Sequence, residues 1–269
     1  MGEPKEIALS REAAEAGFQL LQVTRAESTN EAALKAVLAG ADRFWLVAEE
    51  QTMGRGRHGR TWASPRGNLY ASLGLASPCP AAKAPLLGFV AGLSLAEAIV
   101  SLAPALKPVV QLKWPNDCLV AGEKCVGILL EGSNGPDGRR AVVIGMGVNV
   151  LVAPEGLDQP VTALGRHSRA FTVEGLFERL SARIAANLAL FAGGAGFAAI
   201  RERWLGYAIA VDSPVRVKLP AGEITGVFAG IDGDGQLLVS RDGKVETIMV
   251  GDVFPLGLGV NLEEAARAG

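Results

Sequence analysis

The sequence predicts an α+β fold in two parts: a mixed α/β domain over residues 1–208, then a small all-β domain over residues 209–269. Three observations carry that prediction. Apolar residues recur at helical spacing in several segments of the first part. Short β-branched runs lie between those segments. After Val211 the helical spacing stops, and short runs are broken by Gly-containing turns. With 269 residues, 49% hydrophobic and 20% charged, the chain holds enough apolar material for one large core or a medium and a small one. That balance excludes a disordered chain. The 34 glycines follow no triplet period, which excludes a collagen-like fibre. A net charge of -2 argues against a general nucleic-acid coat.

The first expected element is a short helix over residues 11–20. Ser28-Thr29-Asn30-Glu31 opens a second helix that ends near Gly40, and Ser28-x-x-Glu31 has the form of a capping box. Residues 44–50 and 68–75 read as strands on either side of a Gly/Arg loop. The most apolar stretch, 85–106, contains Glu97, Gly88 and Gly92, and Leu86, Phe89, Val90, Leu93, Ala96 and Val100 recur at helical spacing. That pattern predicts a buried helix and no membrane span. Strand-like runs follow at 109–114, 117–120, 125–131 and 141–150, with turn residues such as Asn134-Gly135-Pro136-Asp137-Gly138 between them. Residues 172–191 form an amphipathic helix with Leu176, Leu180, Ile184, Leu188 and Phe191 on one face, and 197–204 form another. In 211–254 the breaks are Pro220-Ala221-Gly222, Asp232-Gly233-Asp234-Gly235 and Asp242-Gly243. These D-G steps suit tight hairpins, because Gly tolerates positive φ.

The opening residues carry Glu3, Glu6, Glu12 and Glu15 where an export signal would have an apolar run. Cys79, Cys118 and Cys125 form no CxxC pair, as expected of reduced thiols in a cytoplasmic protein.

Chemistry concentrates in three clusters. The loop Gln51-Thr52-Met53-Gly54-Arg55-Gly56-Arg57-His58-Gly59-Arg60-Thr61-Trp62 satisfies G-x-G-x-x-G after a strand. A dinucleotide fold would need a helix next and an acid about 20 residues on. Trp62, Pro65 and Gly67 follow instead, and no Asp or Glu occurs between Glu50 and Glu97, so that reading fails. Arg55, Arg57, Arg60 and Arg66 remain, with no neighbouring counter-charge in the sequence. Guanidinium forks match carboxylates and phosphates, and glycines let backbone N–H groups approach an anion. A mobile loop that orders over an anionic ligand fits this pattern, against the plainer alternative of a solvated basic loop.

The second cluster is Lys113-Trp114-Pro115-Asn116-Asp117, with Lys124 close behind in Glu123-Lys124-Cys125-Val126-Gly127-Ile128-Leu129-Leu130-Glu131. A strand-edge lysine is its plain alternative. The third is Gly145-Met146-Gly147-Val148-Asn149, where paired glycines permit close ligand approach or mark a bulge. No Walker A, HExxH or zinc-type spacing is present. With His58 and His167 as the only histidines, a histidine triad is not expected.

Taken together these motifs resemble the biotin–protein ligases: Ser28-Thr29-Asn30, the 54–62 loop, the 113–117 and 127–131 runs and the 145–149 run occur in that family's order. The resemblance spans about 28–254. It implies a class II aminoacyl-tRNA synthetase-like catalytic domain, with a mixed sheet and flanking helices, followed by an SH3-like β-barrel. The implied activity is ATP-dependent adenylation of biotin, then transfer to a lysine of a biotin carboxyl carrier domain, with Mg²⁺ required. Some members carry an N-terminal helix-turn-helix. Too little sequence precedes Ser28 to form one, so no DNA partner is expected. Other members stack a tryptophan on adenine, yet residues 153–165 contain no aromatic side chain here.

By that resemblance Arg55, Lys124 and Asp117 are the catalytic residues. Arg55 and Arg57 would neutralise the biotin carboxylate and the α-phosphate, with Gly54 and Gly56 letting the loop fold over them. Ser28, Thr29, Asn30 and Gln51 would line the ureido end, and Trp62 and Gly127 would wall the pocket. Lys124 would sit beside the acyl-phosphate. Arg57, Arg60, Lys113, Asn116 and Asn149 would contact the nucleotide, and Asp117 would hold the acceptor ammonium. The metal ligands are not identified. A homodimer is expected through exposed strands of the central sheet. Two other readings stay open: a lipoate–protein ligase, and a non-catalytic biotin-binding or nucleic-acid-binding module.

Overall fold

The computed structural model describes residues 6–135, 138–157 and 159–256, so Pro136 and Asp137 of the expected turn and the tail beyond 256 lie outside the described residues. The order in the first part is α1 (Arg11–Glu15), β1 (Gln19–Ala26), α2 (Thr29–Leu38), β2 (Phe44–Gln51), β3 (Leu69–Ala76), α3 (Leu87–Leu102), β4 (Val110–Lys113), β5 (Asp117–Val120), β6 (Glu123–Asn134), β7 (Arg140–Val148), α4 (Val173–Phe191) and α5 (Phe197–Leu205). In the second part, β8 (Pro214–Leu219), β9 (Gly222–Ile231), β10 (Leu237–Arg241), β11 (Lys244–Ile248) and β12 (Asp252–Pro255) follow.

The first seven strands form one sheet in the order β1-β2-β3-β7-β6-β5-β4. β1 runs parallel to β2 and every other pairing is antiparallel, so the sheet is mixed. α2 covers one face, packing Ala33 and Val37 on Phe44, Leu46 and Val143. α3 and α4 cover the other, over a core that includes Trp45, Leu73, Ile144, Phe177 and Ile184. This burial of both faces explains why α3 is apolar all round: Leu87, Val90, Leu93 and Ile99 are fully buried. The stretch Ala81–Leu102 is long and apolar enough to cross a membrane, but 72% of its most apolar window is buried within the protein.

The first expected helix is corrected. α1 stops at Glu15 because Gly17 turns the chain at φ 81, and the following residues become the edge strand β1, which pattern reading left out. An edge strand needs apolar residues on one face only, and Gln19, Gln22, Thr24 and Arg25 mask that face in the sequence. The apolar 85–106 run also divides: Pro104 and Pro108 lie in a separate 3₁₀ turn, Pro104–Val109, after α3 ends. Cys79, Cys118 and Cys125 are free and buried, as expected.

The remaining strands form a five-stranded antiparallel sheet, β11-β10-β9-β8-β12. It docks on the first part through specific contacts. Trp114 Nε1 donates to the Gly235 carbonyl at 3.0 Å, and Arg201 Nη1 to the Ile231 carbonyl at 3.0 Å. Gly235, at φ 79, sits so tightly that a Cβ there would stand 2.7 Å from Leu86 and 2.8 Å from Phe89. This docking closes one side of the cavity described next.

Candidate active site

A cavity of about 560 Å³ opens on the α2 face of the large sheet, and it brings together side chains from all three sequence clusters. Its floor is made by glycines. Gly127 on β6 is the register partner of Gly147 on β7. A Cβ at Gly127 would lie 2.7 Å from the Trp62 ring, and one at Gly147 would lie 2.5 Å from it. The trough they leave therefore receives the Trp62 indole, and the close approach expected of paired glycines is met by the protein's own side chain.

The polar end is built at the N-terminus of α2. The Ser28 hydroxyl caps the helix, accepting from the Glu31 amide at 3.4 Å, which leaves its own proton to donate. Only half of the capping box forms, because the Glu31 carboxylate turns to Lys35 at 2.7 Å. The Thr29 amide and hydroxyl both donate to Gln51 Oε1, at 2.8 and 3.0 Å, and Gln51 Nε2 donates to Ser64 at 3.0 Å. Asn30 is a wall residue with its hydrogen bonds spoken for. Its Nδ2 donates to the Leu129 carbonyl and to Glu131, and its Oδ1 accepts from Ser72. Asn30 also lines the cavity, with its carboxamide held in place by these bonds.

The Gly/Arg loop closes as a small hairpin. Gly56 donates its amide to the Arg60 carbonyl at 2.7 Å, and Trp62 to the Gly54 carbonyl at 2.9 Å. A Cβ at Gly54 would meet the Trp62 carbonyl at 2.4 Å, so glycine is required there for close approach. The arginines are not without counter-charge, contrary to the sequence reading. Arg55 pairs with Glu131 at 3.2 Å, and Arg66 with Glu49 at 2.9 Å. Arg57 and Arg60 both reach Asp252 of β12, at 2.8 and 3.0 Å. Those carboxylates are brought in by folding, which a local scan of sequence does not see.

The second cluster forms a buried charge triad. β4 and β5 pair Lys113 with Asp117, and β6 adds Lys124. Lys113 Nζ lies 2.9 Å from Asp117 Oδ2. Lys124 Nζ lies 2.7 Å from Oδ1, an ion pair without the alignment of a hydrogen bond. Burial alone would raise the Asp117 pKa, but the two ammonium groups outweigh it and hold the carboxyl below its usual range. Each oxygen of Asp117 thus faces a lysine, and the carboxylate holds the two ammonium groups together.

Asn116 supports the same corner, donating to the Ile128 carbonyl at 2.8 Å and accepting from Arg57 at 3.2 Å. Asn149 donates to the Thr162 carbonyl at 3.2 Å, and its buried Oδ1 has no hydrogen-bond partner, which leaves an acceptor for a ligand. Pro154, Leu157 and Val161 line the mouth in the region without aromatics, and Lys218, Asp252 and Phe254 line it from the second sheet. Sequence reading missed Ser64, Ser72, Glu131 and Asp252. Of these, Glu131 alone carried a signal, since alternation along β6 puts it on the Gly127 face.

The sequence profile of the biotin/lipoate A/B protein ligase family matches residues 23–149, and that of the biotin protein ligase C-terminal domain matches 211–254. A biotin–[acetyl-CoA-carboxylase] ligase of Paracoccus denitrificans is 36% identical over 242 residues, covering 86% of this chain and 98% of the relative. A Mycobacterium tuberculosis protein of the same description is 34% identical, covering 88% of this chain and 89% of its own length. Among solved structures, a biotin protein ligase from Aquifex aeolicus in complex with biotin and ATP superposes with a TM-score of 0.72. It is 27% identical and covers 88% of this chain and 97% of that one. The two profile matches, with 36% identity over 98% of the Paracoccus denitrificans relative, place this chain in the biotin–protein ligase family.

Proposed function

We propose that this chain is an ATP-dependent biotin–protein ligase, which adenylates biotin and then passes the biotinyl group to a lysine of a biotin carboxyl carrier domain. One observation carries the reading: the Lys113–Asp117–Lys124 triad and Arg55 face the same cavity as the polar pocket at Ser28, Thr29 and Gln51. In the first step a carboxylate oxygen of biotin attacks the α-phosphorus of ATP and pyrophosphate leaves. Both reactants are anions, so preorganised cations lower the barrier. Arg55 is our assignment beside the biotin carboxylate, and Lys124 at the acyl-phosphate. Ser28, Thr29 and Gln51 suit the ureido ring, with Gly54 and Gly56 shaping the loop and Trp62 and Gly127 the wall. Lys113, Arg57, Arg60 and Asn149 are assigned to the nucleotide, and the unpaired Asn149 Oδ1 suits an amino group on the base. In the second step the acceptor amine attacks the acyl carbon and AMP leaves.

Magnesium belongs to this reading as the counter-ion of the ATP phosphates. Among the described residues no three His, Cys, Asp or Glu side chains converge as metal ligands. A catalytic domain over 1–208, related to class II aminoacyl-tRNA synthetases, and an SH3-like domain over 209–269 are supported by the two sheets and the two profile matches. A cytoplasmic protein without DNA or membrane partners fits the expected reduced thiols and the modest net charge of -2. A homodimer through β1, which stands at an edge of the large sheet with Leu21 exposed, completes the proposal. The lipoate reading suits this pocket less well, because an apolar acyl chain would offer no acceptor to the remaining Ser28 hydroxyl proton.

The test is mass spectrometry of a carrier domain incubated with this protein, ATP, Mg²⁺ and either biotin or lipoate. The expected product carries one biotinyl group on one lysine. A lipoyl adduct, or no adduct from a folded protein, overturns the assignment.

A further inference from the structure

Glu131 belongs to neither the lysine triad nor the loop, yet it joins two parts of the site. On β6 it lies two strand steps beyond Gly127, on the same face. Its Oε2 accepts from both Arg55 Nη2, at 3.3 Å, and Asn30 Nδ2, at 2.9 Å, and Arg55 Nη2 also lies 3.2 Å from Oε1. Asn30 is wedged against Gly145, where a Cβ would clash with its carboxamide. With Nδ2 donating to Glu131 and the Leu129 carbonyl, that carboxamide cannot turn over without losing both bonds. Its Oδ1 therefore accepts the Ser72 hydroxyl at 2.6 Å. The same Ser72 hydroxyl also donates toward the Thr29 hydroxyl oxygen at 2.8 Å, and the Thr29 proton goes on to Gln51 Oε1 at 3.0 Å. A carboxylate only accepts, so Glu131 fixes which way the Asn30 carboxamide faces and thereby the acceptor offered to Ser72.

We propose that Glu131 is a positioning residue that couples the Gly/Arg loop to the polar end of the biotin pocket. It gives the Arg55 guanidinium a counter-ion before substrate arrives, and through Asn30 it holds the Ser72 hydroxyl that backs Thr29 at the polar end of the pocket. The guanidinium has five donors, so an incoming carboxylate shares it without displacing Glu131. The proposal rests on the biotin-ligase reading of the cavity, but its first readout needs no ligand.

The experiment uses the full chain with Glu131→Gln, Arg55→Ala and the double variant. Trypsin nicking within residues 54–62 is measured first, without ligand, and biotin affinity second, by calorimetry. Glu131→Gln is expected to speed nicking and, on the strength of a charge-assisted pair, to weaken biotin binding roughly tenfold. The apparent KM for ATP should stay near wild type, a split that general destabilisation does not produce. In the Arg55→Ala background Glu131→Gln should add little, since coupled residues are non-additive. Unchanged nicking, unchanged biotin affinity, or losses that add in the double variant each overturn the coupling. If the wild-type chain itself binds no biotin, the biotin-ligase reading fails, while nicking still decides whether Glu131 anchors the loop.

Discussion

Asp117, at the start of β5, shows how burial converts a single carboxylate into an electrostatic keystone for two cations. Its side chain is 8% exposed and those of Lys113 and Lys124 are 10% and 14%, so the three charges share one poorly solvated corner. Removing the middle one leaves two ammonium groups facing each other without compensation. Asp117→Ala is therefore expected to cost about 3–5 kcal/mol, as when one partner of a buried pair is lost. Both half-reactions should fall together, because both lysines lose their position. A thermal melt beside assays of pyrophosphate release and of transfer from preformed biotinyl-AMP checks this. Loss of transfer alone, in a protein that melts normally, would instead support the role of holding the acceptor ammonium. The pH dependence has a definite sign. The folded pKa lies below the ordinary 3.8, so the stabilisation is present above that value and is lost as pH falls through the folded pKa. Asp117→Asn should flatten the acid limb of stability, which urea titrations from neutral pH down to pH 3 would register.

At the scale of elements, the site is a helix N-terminus and a hairpin loop set on a glycine floor. Gly147→Ala puts a methyl 2.5 Å from the Trp62 ring, and since the strand backbone is fixed by pairing on both sides, the indole must move. The expected cost is about 1–3 kcal/mol of overpacking, together with weaker biotin binding and faster amide exchange in residues 54–62. Wild-type exchange and affinity in that variant would show that Trp62 does not depend on the trough. Much of this was legible beforehand. Ser28 was readable as a cap, the helix α4 from its apolar stripe, and the 54–62 and 113–117 runs as loop and strand end. What stayed hidden was non-local. Glu131 is 76 residues from Arg55, and Asp252 is 195 from Arg57, so no window of sequence shows either pairing. β1 was hidden for a different reason: an edge strand buries only one side, and its polar residues dilute the alternation.

For the whole molecule, the second sheet completes the first part's site. Asp252 receives both Arg57 and Arg60, and the neighbouring Gly251 carbonyl lies 3.5 Å from the Arg57 guanidinium. The Arg57 and Asp252 side chains are 20% and 22% exposed, so their pair is partly shielded, while Arg60 at 58% is open to solvent and salt. Two opposite effects follow from removing the carboxylate. Freed arginines present more positive charge to a triphosphate, yet the loop loses the contact that fixes it across the two sheets. Order should win, because among the described residues Arg57 without Asp252 keeps the Asn116 oxygen and one long carbonyl contact, and an unplaced cation gives up most of its advantage in a preorganised site. Asp252→Asn is thus expected to raise the apparent KM for ATP several-fold and to speed amide exchange across residues 54–62, with little change in biotin affinity. Because the outer pair with Arg60 is screened, raising the salt concentration should move wild type part of the way toward the variant. A lower KM for ATP in Asp252→Asn would mean that the carboxylate competes with the nucleotide for the arginines, and the second sheet would then act as a brake on binding.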